Sequence, residues 1–152
     1  MSLLHVSISA TKPQPTAEAL ATLLGGVAKP FPPFPGSWIA FSALDDGTAI
    51  EVYPTSHTLK PGPRQIDYVE GQPDASPTFV HLAIGSPLDH AAILDVADTS
   101  GWLARLCDRG PFECVEVWID DRLLVEVLSP DMVGSYREGM TVSNWASMFD
   151  LD

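Results

Sequence analysis

The chain echoes itself at a separation of about half its length, and that repeat limits the fold more than any other feature. Leu4-His5-Val6-Ser7-Ile8-Ser9 opens the first half, and Val80-His81-Leu82-Ala83-Ile84-Gly85 opens the second. Each reads as a short strand in which apolar residues alternate with His and small residues. A helix is expected after each strand, over Thr16 to Leu24 in the first copy and Leu88 to Ala97 in the second. Pro15 stands near the start of the first helix and Gly25-Gly26 stop it, while Asp89 is expected in the first turn of the second.

The third echo aligns Leu44-Asp45-Asp46-Gly47-Thr48-Ala49-Ile50-Glu51-Val52 with Ile119-Asp120-Asp121-Arg122-Leu123-Leu124-Val125-Glu126-Val127. Both are expected as hairpins turned on an Asp-Asp pair, entered by strands at Ser37 to Leu44 and Phe112 to Ile119. The leaving strands end at Pro54 and Pro130, which have no N–H to offer a neighbour. An edge strand is expected between helix and hairpin in each copy, broken up in the first by prolines from Lys29 to Pro35. The pattern is βαβββ twice over, an α+β class. Residues 1–54 form the first module, 55–78 a Pro- and Gly-rich linker, 79–130 the second module and 131–152 a C-terminal extension. Within that extension a helix over Val142 to Phe149 is expected to dock Trp145 and Phe149 on the body.

Bulk properties narrow the partners. With 45% apolar residues in 152, the chain can bury a core. Its 8 basic and 20 acidic residues give a net charge of -12, which disfavours nucleic acid and anionic membrane surfaces and favours a small-molecule partner. The sequence has no apolar run of membrane-spanning length and no basic, apolar leader, so a cytoplasmic setting is expected. Cys107 and Cys114 lack metal-type spacing and read as ordinary thiols.

The repeat also returns the same chemistry. His5 and Glu51 lie 46 positions apart, and His81 and Glu126 lie 45 apart. Imidazole with carboxylate suits Ni, Zn, Co, Mn or Fe rather than Mg or Ca. By strand alternation His5 shares a face with Ser7 and Ser9, His81 with Ala83 and Gly85, and Glu51 with Ala49 and Tyr53. Small neighbours leave room beside both imidazoles. A carboxylate buried in such strands needs a counter-charge, and a divalent ion supplies one.

These residues resemble the vicinal oxygen chelate superfamily, which includes glyoxalase I, fosfomycin-resistance thiol transferases and extradiol dioxygenases. The resemblance rests on His5-Val6 and His81-Leu82 at the head of each module, and on Ile50-Glu51-Val52-Tyr53-Pro54 and Val125-Glu126-Val127-Leu128-Ser129-Pro130 at the end of each. It implies modules whose mixed sheets curve into a cup around one divalent metal, often completed across a homodimer. It implies His5, Glu51, His81 and Glu126 as ligands, with Glu51 or Glu126 also moving a substrate proton in a glyoxalase-like lyase or isomerase acting on vicinal oxygens. Ser7, Ser9, Tyr53 and Arg137 are the expected substrate contacts. Where glyoxalase I typically has an Arg for glutathione, this chain has Ser9. Two alternatives stay open: an extradiol-type oxygenase, and a binding protein of the same fold without chemistry.

Overall fold

The computed structural model describes residues 4–44, 46–63, 66–71 and 80–150. The first module runs β1 (His5–Ala10), α1 (Pro13–Leu23), β2 (Val27–Pro30), β3 (Trp38–Phe41) and β4 (Ala49–Pro54). Strands β5 (His57–Pro61) and β6 (Ile66–Glu70) follow. The second module runs β7 (Leu82–Gly85), α2 (His90–Ser100), β8 (Leu103–Asp108), β9 (Glu113–Ile119) and β10 (Leu123–Leu128). Helices α3 (Pro130–Gly139) and α4 (Val142–Met148) close the chain.

The sequence repeat becomes a repeat of topology. One sheet has the order β1-β4-β3-β2 and the other β7-β10-β9-β8, so the first strand of each module pairs with its last. Those pairs, β1 with β4 and β7 with β10, are parallel, and the remaining pairs are antiparallel. A parallel pair needs a long crossover, which the intervening helix and strands provide in each module.

One face of each sheet carries the apolar core. Val52, Val115, Val117, Val125 and Val127 are fully buried there with Leu20 and Leu23 of α1 and Ile93 and Ala97 of α2. Removing one Leu such as Leu20 from water contributes about 2–3 kcal/mol. The two helices also pack on each other, which joins the modules.

Local chemistry sets where the elements begin and end. Helix α1 starts three residues before the expected Thr16, because Pro13 and Pro15 sit in a first turn whose N–H groups have no helical partner to lose. It stops at Gly25, whose φ of 66° suits glycine. Gly26 follows so close to β3 that a Cβ there would overlap the Phe41 carbonyl oxygen. Asp89 does not lie within α2 as expected but caps it, its carboxylate accepting from the Ala92 N–H at 2.9 Å. The β9–β10 turn holds Asp120 and Asp121 at φ of 53° and 54°, the left-handed pair that a tight hairpin requires. Asp45, the counterpart in the first module, lies outside the described residues.

Four segments depart from expectation. Strand β2 ends at Pro30, and the following prolines leave a turn closed by the Phe31 N–H on the Ser37 carbonyl. The interval read as a linker holds a two-stranded antiparallel sheet, β5 with β6, although 64–65 and 72–79 are outside the described residues. Pro130 does end β10, but it also begins α3, as the first residue of a helix can. Trp145 and Phe149 meet at 4.7 Å with their rings tilted by 52°, yet both remain about half exposed rather than docking on the body. Among the described residues no helix is long and apolar enough to cross a membrane.

Two pins hold the second hairpin against the end of β1. Asp120 accepts from the Thr11 N–H at 2.8 Å and from its hydroxyl at 3.0 Å, and Arg122 donates to the carbonyl and hydroxyl oxygens of Ser9, each at 2.8 Å.

Candidate functional site

Strand register places the four ligand-type residues. Ser7 is the partner of Glu51 across β1 and β4, and Ala83 is the partner of Glu126 across β7 and β10. Directly opposed residues point to the same face, and so do residues two apart on a strand. His5 therefore shares a face with Glu51, and His81, just ahead of β7, stands in the same relation to Glu126. The offset is identical in both modules. These faces lie opposite the helices, where Glu51 is half-buried and Glu126 buried.

The two histidines also line one cavity of about 200 Å³, between the starts of β1 and β7. Leu4, Thr48 and Ala83 are among its other walls. The carboxylates are not brought into it. Among the described residues no three His, Cys, Asp or Glu side chains converge closely enough to form a metal cluster. A larger concavity, about 580 Å³, is lined instead by residues of α1 and α2, with Lys12 and Trp102.

The carboxylates differ in their partners. Glu51 accepts on Oε2 from the Ser7 hydroxyl at 2.7 Å and the Tyr53 hydroxyl at 3.1 Å, both neutral donors. Glu126 accepts on Oε1 from Arg109 Nε at 2.9 Å. Arg109 also reaches Glu116, the residue opposite Glu126 on β9, at 2.6 Å, and Arg105 reaches Glu116 at 2.6 Å. Burial alone would push the Glu116 carboxyl up, but hydrogen bonds from Arg105, Arg109 and Trp118 outweigh it and hold the group at about 2. Cys114 faces Cys107 across β8 and β9, both as free thiols, and burial followed by the nearby Glu126 charge pushes Cys114 up to about 11.

Fit to a metal is therefore uneven. Two imidazoles beside one cavity and two carboxylates at matching register are a suitable donor set for a first-row divalent ion. At Glu51 a cation would meet a carboxylate whose donors among the described residues are neutral. At Glu126 the counter-charge is already supplied by Arg109, and an ion would have to share that carboxylate.

The expected substrate contacts separate. Ser7 and Tyr53 hold Glu51, and Ser9 is held by Arg122. Both serines and Tyr53 line a pocket of about 190 Å³ with His57, Thr58 and Tyr68. Arg137 lies apart, in the last turn of α3, in a cavity with Gly85, Leu128 and Tyr136. Three features were missed in the sequence. Glu116 carries the signature of Glu126, a Glu inside an apolar strand, in Val115-Glu116-Val117. Arg109 sits at the turn ahead of that strand, where no periodicity marks it. Tyr68 belongs to Ile66-Asp67-Tyr68-Val69-Glu70, an alternation that reads as a strand.

No sequence-family profile matches the chain, and no characterised protein matches it in sequence. Solved structures do match in shape. A mutant of the fosfomycin resistance protein from Listeria monocytogenes, complexed with Mn(II) and a dihydroxypropylphosphonic acid, aligns with a TM-score of 0.56 at 11% identity over 97% of each chain. A possible glyoxalase from Bacillus cereus aligns at 0.53 and 12% identity, over 84% of this chain and 97% of that one. The fosfomycin resistance protein from Mesorhizobium loti aligns at 0.52 and 11% identity, over 83% and 89%. What is shared at these identities is the fold, and the fold of this chain is that of the vicinal oxygen chelate superfamily.

Proposed function

We propose that this protein is a divalent-metal-dependent, glyoxalase-like lyase or isomerase acting on a small substrate with vicinal oxygens. His5, Glu51, His81 and Glu126 would hold the ion. The observation that carries this reading is the identical His-to-Glu register in the two modules, with both imidazoles on one cavity. The Mn(II) bound by the Listeria protein of the same fold supports a metal of this kind.

When bound, a divalent ion supplies the Lewis-acid charge that makes a carbon next to a carbonyl more acidic and offsets developing negative charge on oxygen. Glu51 is the residue assigned to take the substrate proton, since its donors Ser7 and Tyr53 are neutral and both fall on Oε2, leaving Oε1 for exchange. Glu126 is held in place by Arg109 and serves as a fixed negative ligand. The working unit is taken to be a homodimer, supported by the exposed Leu103 and Leu106 on edge strand β8.

The test is metal analysis of protein purified without chelators, joined to melting curves with added Ni, Co, Zn or Mn. One ion per four-ligand set is expected, with about 2.7 kcal/mol of stabilisation at a hundredfold excess over Kd, abolished in His5→Ala and His81→Ala. Absence of both bound metal and any rise in melting temperature sinks the proposal. In that case a second reading stands, a small-molecule binding protein without chemistry, which the Arg109–Glu126 ion pair favours because it satisfies that carboxylate without a metal.

A further inference from the structure

We propose that the pocket beside Glu51 takes the ammonium group of a compact amine. This deepens the function proposed above by naming a substrate class, and rests on it for what becomes of the bound molecule. Binding itself needs no metal.

The pocket measures about 190 Å³ and lies between the outer part of β1, the end of β4 and the β5–β6 hairpin. A cavity of about 150 Å³ admits a benzene ring, so the space suits one ring or a short chain. Its polar groups are unusual in what they can still offer. A hydroxyl has one proton, and those of Ser7 and Tyr53 are both committed to Glu51 Oε2, at 2.7 and 3.1 Å. Both oxygens thus present lone pairs and ask for donors.

Aromatic faces complete the surroundings. Tyr53 and Tyr68 stack at 5.9 Å with 30° between their planes, and Phe34 supports both, at 5.7 Å from Tyr53 and 4.4 Å from Tyr68. Rings braced in this way have set orientations and can attract a cation through their faces. The described residues lining the pocket include no Lys or Arg, and the nearby Arg122 is turned to Ser9. An anion would meet the Glu51 charge, while among the described residues the Arg122 guanidinium is engaged on Ser9 and the His57 ring on Ser56. An ammonium brings three donors and a positive charge, matching two acceptor oxygens, a carboxylate behind them and π faces beside them.

Calorimetric titration of the full chain in metal-free, low-salt buffer at pH 7 compares benzylamine with benzyl alcohol and benzoate, which keep the ring and change the charge. Benzylamine is expected to bind about tenfold more tightly than either. Tyr68→Leu should erase most of that preference and Tyr68→Phe should retain it, which separates the π face from general packing. Equal or tighter binding of the alcohol or the acid, or no saturation by benzylamine at about 10 mM, overturns the assignment. Metal binding is read separately. Amine selectivity in a protein that takes no metal keeps the pocket and removes the metalloenzyme, whereas metal uptake without amine selectivity does the reverse.

Discussion

Replacing Arg109 by Met probes the most charged part of the second module. Its guanidinium is the cation on Glu126, at 2.9 Å, and shares Glu116 with Arg105. The Glu116 and Glu126 side chains are 5% and 10% exposed, so stripping a partner leaves negative charge with little water. Breaking a fully buried pair from one side costs about 3–5 kcal/mol. Arg109 is itself 32% exposed and Arg105 remains on Glu116, which lowers the expectation to about 2–3 kcal/mol at pH 7. The pH dependence checks the cause. The Glu116 carboxyl is held at about 2 against an ordinary 4.5, a difference corresponding to about 3 kcal/mol at most. A group depressed on folding stabilises above its unfolded value, and that contribution fades as pH falls from 4.5 towards 2. The deficit of Arg109→Met should therefore be largest at neutral pH and fall to about half at pH 3, midway through the window between the unfolded and folded values of Glu116. Urea unfolding of both proteins at pH 3, 4, 5 and 7 measures it, and adding Glu126→Gln to the variant should recover part of the loss. A deficit that stays constant with pH, or none at pH 7, refutes the electrostatic reasoning.

Asp120→Ala removes both bonds to Thr11 and should cost about 1–2 kcal/mol, with faster amide exchange at Thr11. Asp120→Asn, which keeps an acceptor and tolerates the positive φ, should lose less than half of that. Gly26→Ala would drive a Cβ into the Phe41 carbonyl and should lower stability by about 3 kcal/mol or more, read as a fall in thermal midpoint. A neutral Gly26→Ala would mean that the α1–β3 approach is looser than it stands.

Much of the fold was legible because its cause is local and repeated. Alternation in Leu4-His5-Val6-Ser7-Ile8-Ser9 marks a strand wherever it occurs, Gly25 stops a helix through its own backbone freedom, and Asp120-Asp121 turn a hairpin by themselves. Errors gathered where two readings were equally local. Asp89 suits a first turn or a cap, and only the direction of its carboxylate decides. Pro130 ends a strand and starts a helix by the same missing N–H. Trp145 and Phe149 at helical spacing identify a face but not whether a surface lies opposite it.

The sequence by itself determined the two βαβββ units and the matching order of His and Glu within them, because side-chain period and residue type are properties of a strand before it meets anything else. Tertiary structure alone decided what each carboxylate touches. Arg109 approaches Glu126 from 17 positions away and Ser7 approaches Glu51 from 44, distances over which no periodicity operates. It also decided that Tyr68, from the interval read as a linker, shares a pocket with Ser7 and Tyr53. Such pairings depend on how strands align across a sheet and how a hairpin folds over it, and only the packed chain fixes either.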